Sequence, residues 1–167
     1  FERLADLVPA EYAAHWQETL KFLEIITRYW PDILKERGLI DPGERRNRLI
    51  AAQAEIWKAA PPSKRIVAVG TTATFPVMKA LVKVVSKLPR GEVCLAGLDK
   101  NLDDESWNAI DETHPQFELK ELLDYLQADR RDIADLTSPA NPEREKFISE
   151  IMRPAKTTDK WRDIAAA

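Results

Sequence analysis

Two short apolar runs, Arg65-Ile66-Val67-Ala68-Val69-Gly70 and Glu92-Val93-Cys94-Leu95-Ala96-Gly97, lack the polar alternation of a half-solvated strand and bracket a stretch with helical spacing. Apolar runs of this length without alternation predict strands buried on both faces. Between them Pro76 opens a helix on which Val77, Ala80, Leu81, Val84, Val85 and Leu88 share one face, and Pro89-Arg90-Gly91 closes it. Strand, helix and strand in that order form one right-handed crossover of a parallel sheet. Two strands do not make a stable open sheet, so further strands are expected to complete it. One more candidate, a short edge strand over Arg131-Asp132-Ile133-Ala134-Asp135-Leu136, follows later in the chain.

Upstream of this unit the period is helical. Pro9 sets a first turn, and Tyr12, Trp16, Leu20, Leu23, Ile26 and Trp30 recur at three- and four-residue spacing, which predicts a long amphipathic helix. Pro31 lacks the N–H that would continue the ladder and is expected to kink or interrupt it; Ile33, Leu34 and Leu39 extend the stripe, and Gly38 suits a C-terminal cap. Asp41-Pro42 then supplies a capping carboxylate and a first helical residue for a second helix, with Leu49, Ile50, Ala54, Ile56 and Trp57 on its buried face. Pro61-Pro62 ends this section.

Downstream, Trp107 and Ile110 mark a short helix, and Phe117, Leu119, Leu122, Leu123 and Leu126 a longer amphipathic one. Asn141-Pro142 starts a helix over Phe147, Ile148, Ile151 and Met152, Pro154 stops it, and Thr157-Thr158-Asp159 reads as the cap of a last helix containing Trp161. The fold class is therefore α/β and mostly helical: a helical hairpin or bundle over 1–61, a strand-helix-strand section over 62–137 and C-terminal helices over 138–167.

Composition narrows the classes of function. The 167 residues are 44% apolar and 32% charged, too apolar for a disordered chain, and no apolar run approaches the ~20 residues of a membrane span. Cys94 is the only cysteine, which excludes an intrachain disulfide or a cysteine-built metal site and suits a reducing cytoplasm. His15 and His114 have no companions at ligand or triad spacing, and His114 before Pro115 reads as a cap or turn residue. Asp103 and Asp104 are adjacent, so they point to different helix faces and do not form an acid/base pair. Trp16, Trp30, Trp57, Trp107 and Trp161 read as core residues rather than stacking platforms for bases. The chain opens without Met on the helical pattern Phe1-Glu2-Arg3-Leu4-Ala5-Asp6-Leu7 and reads as a piece of something larger.

Charge is distributed unevenly. Residues 42–90 hold ten Lys and Arg against Glu44 and Glu55, whereas residues 99–135 hold twelve acids against four bases. Lys79, Lys83 and Lys87 repeat every fourth residue, an arrangement that disfavours a helix because like charges adjoin; Arg45, Arg46 and Arg48 lie near a helix start, where the dipole disfavours cations. Residues held against local preference point to phosphate contact, with mutual neutralisation of two solvated faces as the alternative. The loop Gly70-Thr71-Thr72-Ala73-Thr74 sits at the carboxyl edge of the first strand, where open α/β folds bind ligands, and its hydroxyls and amides suit either a phosphate or simple turn caps. No phosphate-loop or dinucleotide fingerprint occurs in the chain.

Five strings in order, Asp41-Pro42-Gly43-Glu44-Arg45-Arg46-Asn47-Arg48-Leu49, Ala68-Val69-Gly70-Thr71-Thr72 through Pro76, Gly97-Leu98-Asp99 with Leu102-Asp103 and Trp107, His114-Pro115-Gln116, and Arg153-Pro154-Ala155-Lys156-Thr157-Thr158-Asp159-Lys160-Trp161, resemble the AddB subunits of bacterial AddAB helicase-nucleases of the alphaproteobacterial type. The resemblance runs over essentially the whole chain. It implies a part in double-strand break repair, in which DNA ends are resected together with an AddA-like partner for homologous recombination. It further implies that the residues correspond to a helical insertion followed by part of a RecA-like, superfamily 1 helicase-like sheet. The family's ATP-binding loop, its magnesium chemistry and its nuclease with an iron–sulfur cluster have no counterpart in these residues, so no cofactor is expected here.

Working helicases of this superfamily end the strand corresponding to 66–69 with paired acids that hold magnesium, whereas this chain reads Val69-Gly70-Thr71-Thr72; after the second strand, Asn101 of Ala96-Gly97-Leu98-Asp99-Lys100-Asn101 stands as a shortened substitute for a phosphate-sensing Gln. The resemblance thus implies a degenerate lobe without catalytic residues, giving scaffold and DNA-backbone contacts through Arg45, Arg46, Arg48, Lys79, Lys83 and Lys87. The rival expectations are a protein-interaction module that docks a partner through residues 9–60 and, less well supported, a small nucleotide hydrolase using Thr71, Thr72 and Asp99.

Overall fold

The computed structural model describes residues 13–138 and 140–162, with side chains from residue 18 onward. Helices dominate, and the one sheet among the described residues has two parallel strands, so the chain is a mostly helical α/β protein. The residues fall into two units divided between Leu49 and Ile50.

In the first unit, α1 (Ala13–Glu24) continues through a π-helical turn over Ile25–Tyr29 into α2 (Trp30–Glu36). Pro31 does not break the helix. The turn before it widens instead: the Trp30 N–H donates to the Ile25 carbonyl five residues back, which accommodates the N–H that proline lacks and the bulk of its ring. Gly38 takes the left-handed conformation at φ +61°, and the Leu39 N–H closes the end on the Leu34 carbonyl at 2.8 Å, the expected C-terminal cap. α3 (Pro42–Ala59) starts here, with Asp41 Oδ1 accepting from the Gly43 N–H at 2.7 Å and from the Glu44 N–H. No residue from 18 to 49 is buried. Pro9 and Tyr12 lie outside the described residues, as do the side chains of His15 and Trp16.

The second unit holds the crossover. β1 (Ile66–Val69) and β2 (Gly91–Cys94) pair in parallel with Ile66 opposite Gly91 and Val69 opposite Cys94, and α4 (Pro76–Lys87) connects them. β2 begins one residue earlier than the apolar run predicts and stops at Cys94, so Leu95-Ala96-Gly97 belongs to the loop that follows. Only a glycine fits at its first position: a Cβ on Gly91 would overlap the Val85 carbonyl oxygen, because the chain turns back directly against the end of α4.

The expectation of strands buried on both faces is corrected. Ile66 and Ala68 are half-buried on the side that alternates with Val67 and Val69, and the latter two are exposed, Val69 at 69%. Burial on both faces requires a second covering layer. The expected edge strand over 131–136 is also corrected. Arg130–Asp132 forms a single 3-10 turn in which Asp129 Oδ1 accepts from the Arg131 N–H at 2.8 Å, a local side-chain bond that competes with an extended chain.

α4 contacts both the sheet and α6 (Phe117–Leu126). Two covered sides explain why Val82, outside the single apolar face read from the sequence, is buried with Ala73 and Leu122 at the centre of the core. Met78, Val93, Leu95 and Leu126 pack around them. No tryptophan with a described side chain belongs to that core: Trp30 and Trp161 are exposed, and Trp57 and Trp107 are half-buried.

α7 (Pro142–Ile151) starts at the expected Asn141, and α5 (Asp104–Ala109) is capped by Asp103, a cap the sequence analysis does not single out. α7 is turned opposite to its apolar stripe: Ser149 is its buried residue, while Phe147, Ile148 and Ile151 are exposed. The expected last helix begins as a 3-10 segment over Ala155–Lys160, kinked at Thr157, rather than at a Thr157 cap.

Candidate functional site

The two basic rows lie in different units. Arg45, Arg46 and Arg48 are exposed on the first turns of α3, where Arg48 pairs with Glu44 one turn back. On α4, Lys79 and Lys83 are committed to contacts within the fold. Lys79 Nζ lies 3.2 Å from Glu121 on α6, and Lys83 Nζ donates to the Tyr125 carbonyl at 2.9 Å while sitting 4.6 Å from the centre of the Tyr125 ring. The repeat that disfavours an isolated helix is thus relieved by α6, and a phosphate at Lys79 would have to displace a carboxylate. Lys87, one turn further, is exposed.

The strand-end loop uses its hydroxyls internally. Thr71 Oγ1 accepts from the Ala73 N–H at 3.0 Å, and the Thr72 and Thr74 hydroxyls lie 3.1 Å apart. Gly70 has φ +66°, and Ala73, a buried alanine, sits at φ +51°, in the left-handed region that costs an L-residue about 1 kcal/mol. The pair of reversals delivers the chain from β1 to the start of α4, and Pro76 at that start removes one helix-terminal N–H that could serve a ligand.

The loop after β2 is more heavily built. Asp99 Oδ1 accepts from the Asn101 N–H at 2.8 Å, the Leu102 N–H at 3.2 Å and the Ser149 hydroxyl at 2.9 Å. Gln116, at the entry to α6, spans the same loop, with Nε2 donating to the Gly97 carbonyl at 2.8 Å and Oε1 accepting from the Asp99 N–H at 3.0 Å. Asp99 Oδ1 is thus occupied by three hydrogen bonds within the fold, and the end of β1 carries no carboxylate.

A second polar cluster joins α5 to the C-terminal segment. Asp103 Oδ1 caps α5 by accepting from the Ser106 N–H at 2.8 Å, and its Oδ2 takes Arg153 Nη1 and Lys160 Nζ. The Ser106 N–H is the largest cause holding the Asp103 carboxyl far below its ordinary value of 3.8, with Arg153 and Lys160 adding to it against partial desolvation. Arg153, whose side chain is only 8% exposed, also grips Glu150 and the Ser106 hydroxyl, which in turn donates to Thr157 Oγ1 at 2.9 Å. Nearby, Arg130 is buried between Asp104, at 3.0 Å, and the face of Trp107, 4.8 Å from its ring centre. Asp103 and Asp104 do diverge as their adjacency implies, into two separate ion-pair clusters.

Of these residues Gln116, Ser149 and Arg130 carry no sequence signal of their role, because the partners named here lie 17 or more residues away, and the same holds for the bond from Arg153 to Asp103, 50 residues away. No family model, no curated protein and no solved structure matches this chain.

Proposed function

We propose that the chain is part of an AddB-like subunit that processes double-strand breaks for recombination, and that this segment is a degenerate helicase-like lobe giving scaffold and DNA-backbone contacts without hydrolysing ATP. The reading rests on the resemblance in the sequence. The observation that carries the DNA contact is the exposure of Arg45, Arg46 and Arg48 within one turn of α3. Arg45 and Arg48, three residues apart, share a helix face and can follow a phosphate backbone together. The carboxylate-free end of β1 and the saturated Asp99 oxygen support a lobe that does no magnesium-dependent hydrolysis.

Fluorescence anisotropy with labelled single-stranded and duplex DNA tests this. Binding is expected to weaken with salt and in the variant with Arg45, Arg46 and Arg48 changed to Ala, whose log–log salt slope should fall by about 2 to 3. Absence of binding at low salt overturns the DNA contact, and magnesium-dependent ATPase activity that disappears in Asp99→Ala overturns the degenerate lobe.

A second reading is favoured by a specific observation in the first unit. Phe22, Ile25, Ile26, Tyr29, Trp30 and Ile33 are all exposed along α1, the π turn and α2, a stripe suited to docking a partner subunit such as an AddA-like protein. Such docking resists salt, which separates it from phosphate binding.

A further inference from the structure

The amino ends of β1 and β2 gather cations that lie far apart in the sequence. The Ile66 N–H donates to the Arg90 carbonyl at 2.9 Å, and Ile66 faces Gly91 in the parallel register, so Arg65 and Arg90 enter the sheet side by side. Arg90 Nη1 also donates to the Ser63 carbonyl at 2.8 Å, which ties the turn bearing Lys64 to the turn after α4. Lys87 lies three residues before Arg90, in the last turn of α4. We infer that this edge, opposite the Gly70–Thr74 loop, is a binding surface for the phosphate backbone of a nucleic acid, with Lys64, Lys87 and Arg90 as its contacts.

Five cations are exposed at this edge: Lys58, Lys64, Arg65, Lys87 and Arg90. Glu92 pairs with Arg65, and Glu55 with Lys58 at 2.5 Å. Among the described residues no carboxylate pairs with Lys64, Lys87 or Arg90. The dipole of α4 favours a cation in its last turn and so accounts for Lys87, but Lys64 and Arg90 lie outside any helix. Unpaired like charges held close repel one another, and a polyanion laid across them removes that repulsion and releases its own counterions. Pro61-Pro62 and the Arg90 bond restrain the turn, so less freedom is lost when Lys64 meets a phosphate. Lys79 and Lys83, by contrast, are engaged by α6, which leaves Lys87 as the member of its row that joins this surface. The inference rests on the reading that this segment meets DNA, and it adds a contact in the second unit to the one on the first turns of α3.

Fluorescence anisotropy of the whole 167-residue chain with labelled single-stranded and duplex DNA tests the surface. With Lys64, Lys87 and Arg90 changed to Ala, the log–log salt slope is expected to fall by about 2 to 3 and the affinity at low salt by about 10-fold or more. Lys64→Ala with Lys87→Ala keeps the Arg90–Ser63 bond and should lower the slope by about 1 to 2, so it decides if the triple variant does not fold. Changing Arg28, Lys35 and Arg37 to Ala removes the same charge from exposed sites of the first unit and should leave the slope as it is. An unchanged slope in the Lys64 variants overturns the surface, and so does an equal fall in the first-unit control. Displacement of the DNA by polyglutamate at matched charge assigns the edge to an acidic protein and overturns it as well. If the chain binds no DNA even at low salt, the DNA reading falls together with the surface; if binding weakens only when Arg45, Arg46 and Arg48 are changed, the surface alone falls.

Discussion

Helices α1 and α2 and helices α4 and α6 are written in the same code, apolar residues every three or four positions, yet they meet opposite fates. In the first pair Phe22, Ile25, Ile26, Tyr29 and Trp30 all stay exposed, and no residue from 18 to 49 is buried. In the second, Val82, Val84, Val85, Leu119, Leu122 and Leu123 are buried. An isolated helix of this length is marginal in water, so α4 and α6 draw their stability from each other and from the sheet, while α1 and α2 depend on local bonds and caps. The difference teaches that an amphipathic stripe specifies a face to be covered, not the presence of a cover.

Substitutions can break or sharpen this contrast. The largest effect is expected at Leu122, which is fully buried against Ala73 and Val82: Leu122→Ala should cost about 4 kcal/mol by denaturant unfolding of the second unit. Gly91→Ala forces a methyl into the Val85 carbonyl and should cost about 3 kcal/mol, with the change read at the α4–β2 junction.

Arg153→Met should cost about 2 kcal/mol, since it removes the cation shared by Asp103, which keeps Lys160, and by Glu150. The same cluster sets a pH response. Because folding lowers the Asp103 pKa, its contribution is complete above its unfolded value near 4 and is lost as pH falls below that; Asp103→Asn should flatten acid unfolding in this window. The smallest effect is expected in the first unit, where Ile26→Ala should shift stability by less than about 0.5 kcal/mol. A loss comparable to Leu122→Ala there would show that the stripe is covered in solution and remove the contrast.

The candidate site was legible in unequal parts. The caps at Asp41 and Asn141 follow from a short polar side chain placed before a helical run, and each accepts the expected backbone N–H, whereas the cap at Asp103 is not among those read from the sequence. The basic rows were legible as charge, but their engagement was not, because Glu121 and Tyr125 reach Lys79 and Lys83 from 42 residues away. Ser149 shows the limit most directly. The pattern of α7 directs Phe147, Ile148 and Ile151 inward, yet the helix turns Ser149 to the interior, where its hydroxyl completes the bonding of Asp99. Satisfying a polar loop took precedence over burying the stripe, and no local spacing encodes that preference.

What the sequence determined alone was local: the order strand, helix, strand, the starts of α3, α4 and α7, the left-handed Gly38, and the uneven spread of charge, all of which follow from backbone sterics and side chains within a turn or two. Tertiary structure decided which faces are covered, so that Val82 is buried and Val69 is not, that Arg131–Leu136 forms no strand, and that Asp99, Gln116, Ser149 and His114 are linked by hydrogen bonds. Those outcomes depend on groups distant in sequence meeting at hydrogen-bond range, where the free energy of a contact is set by both partners and by the water they exclude.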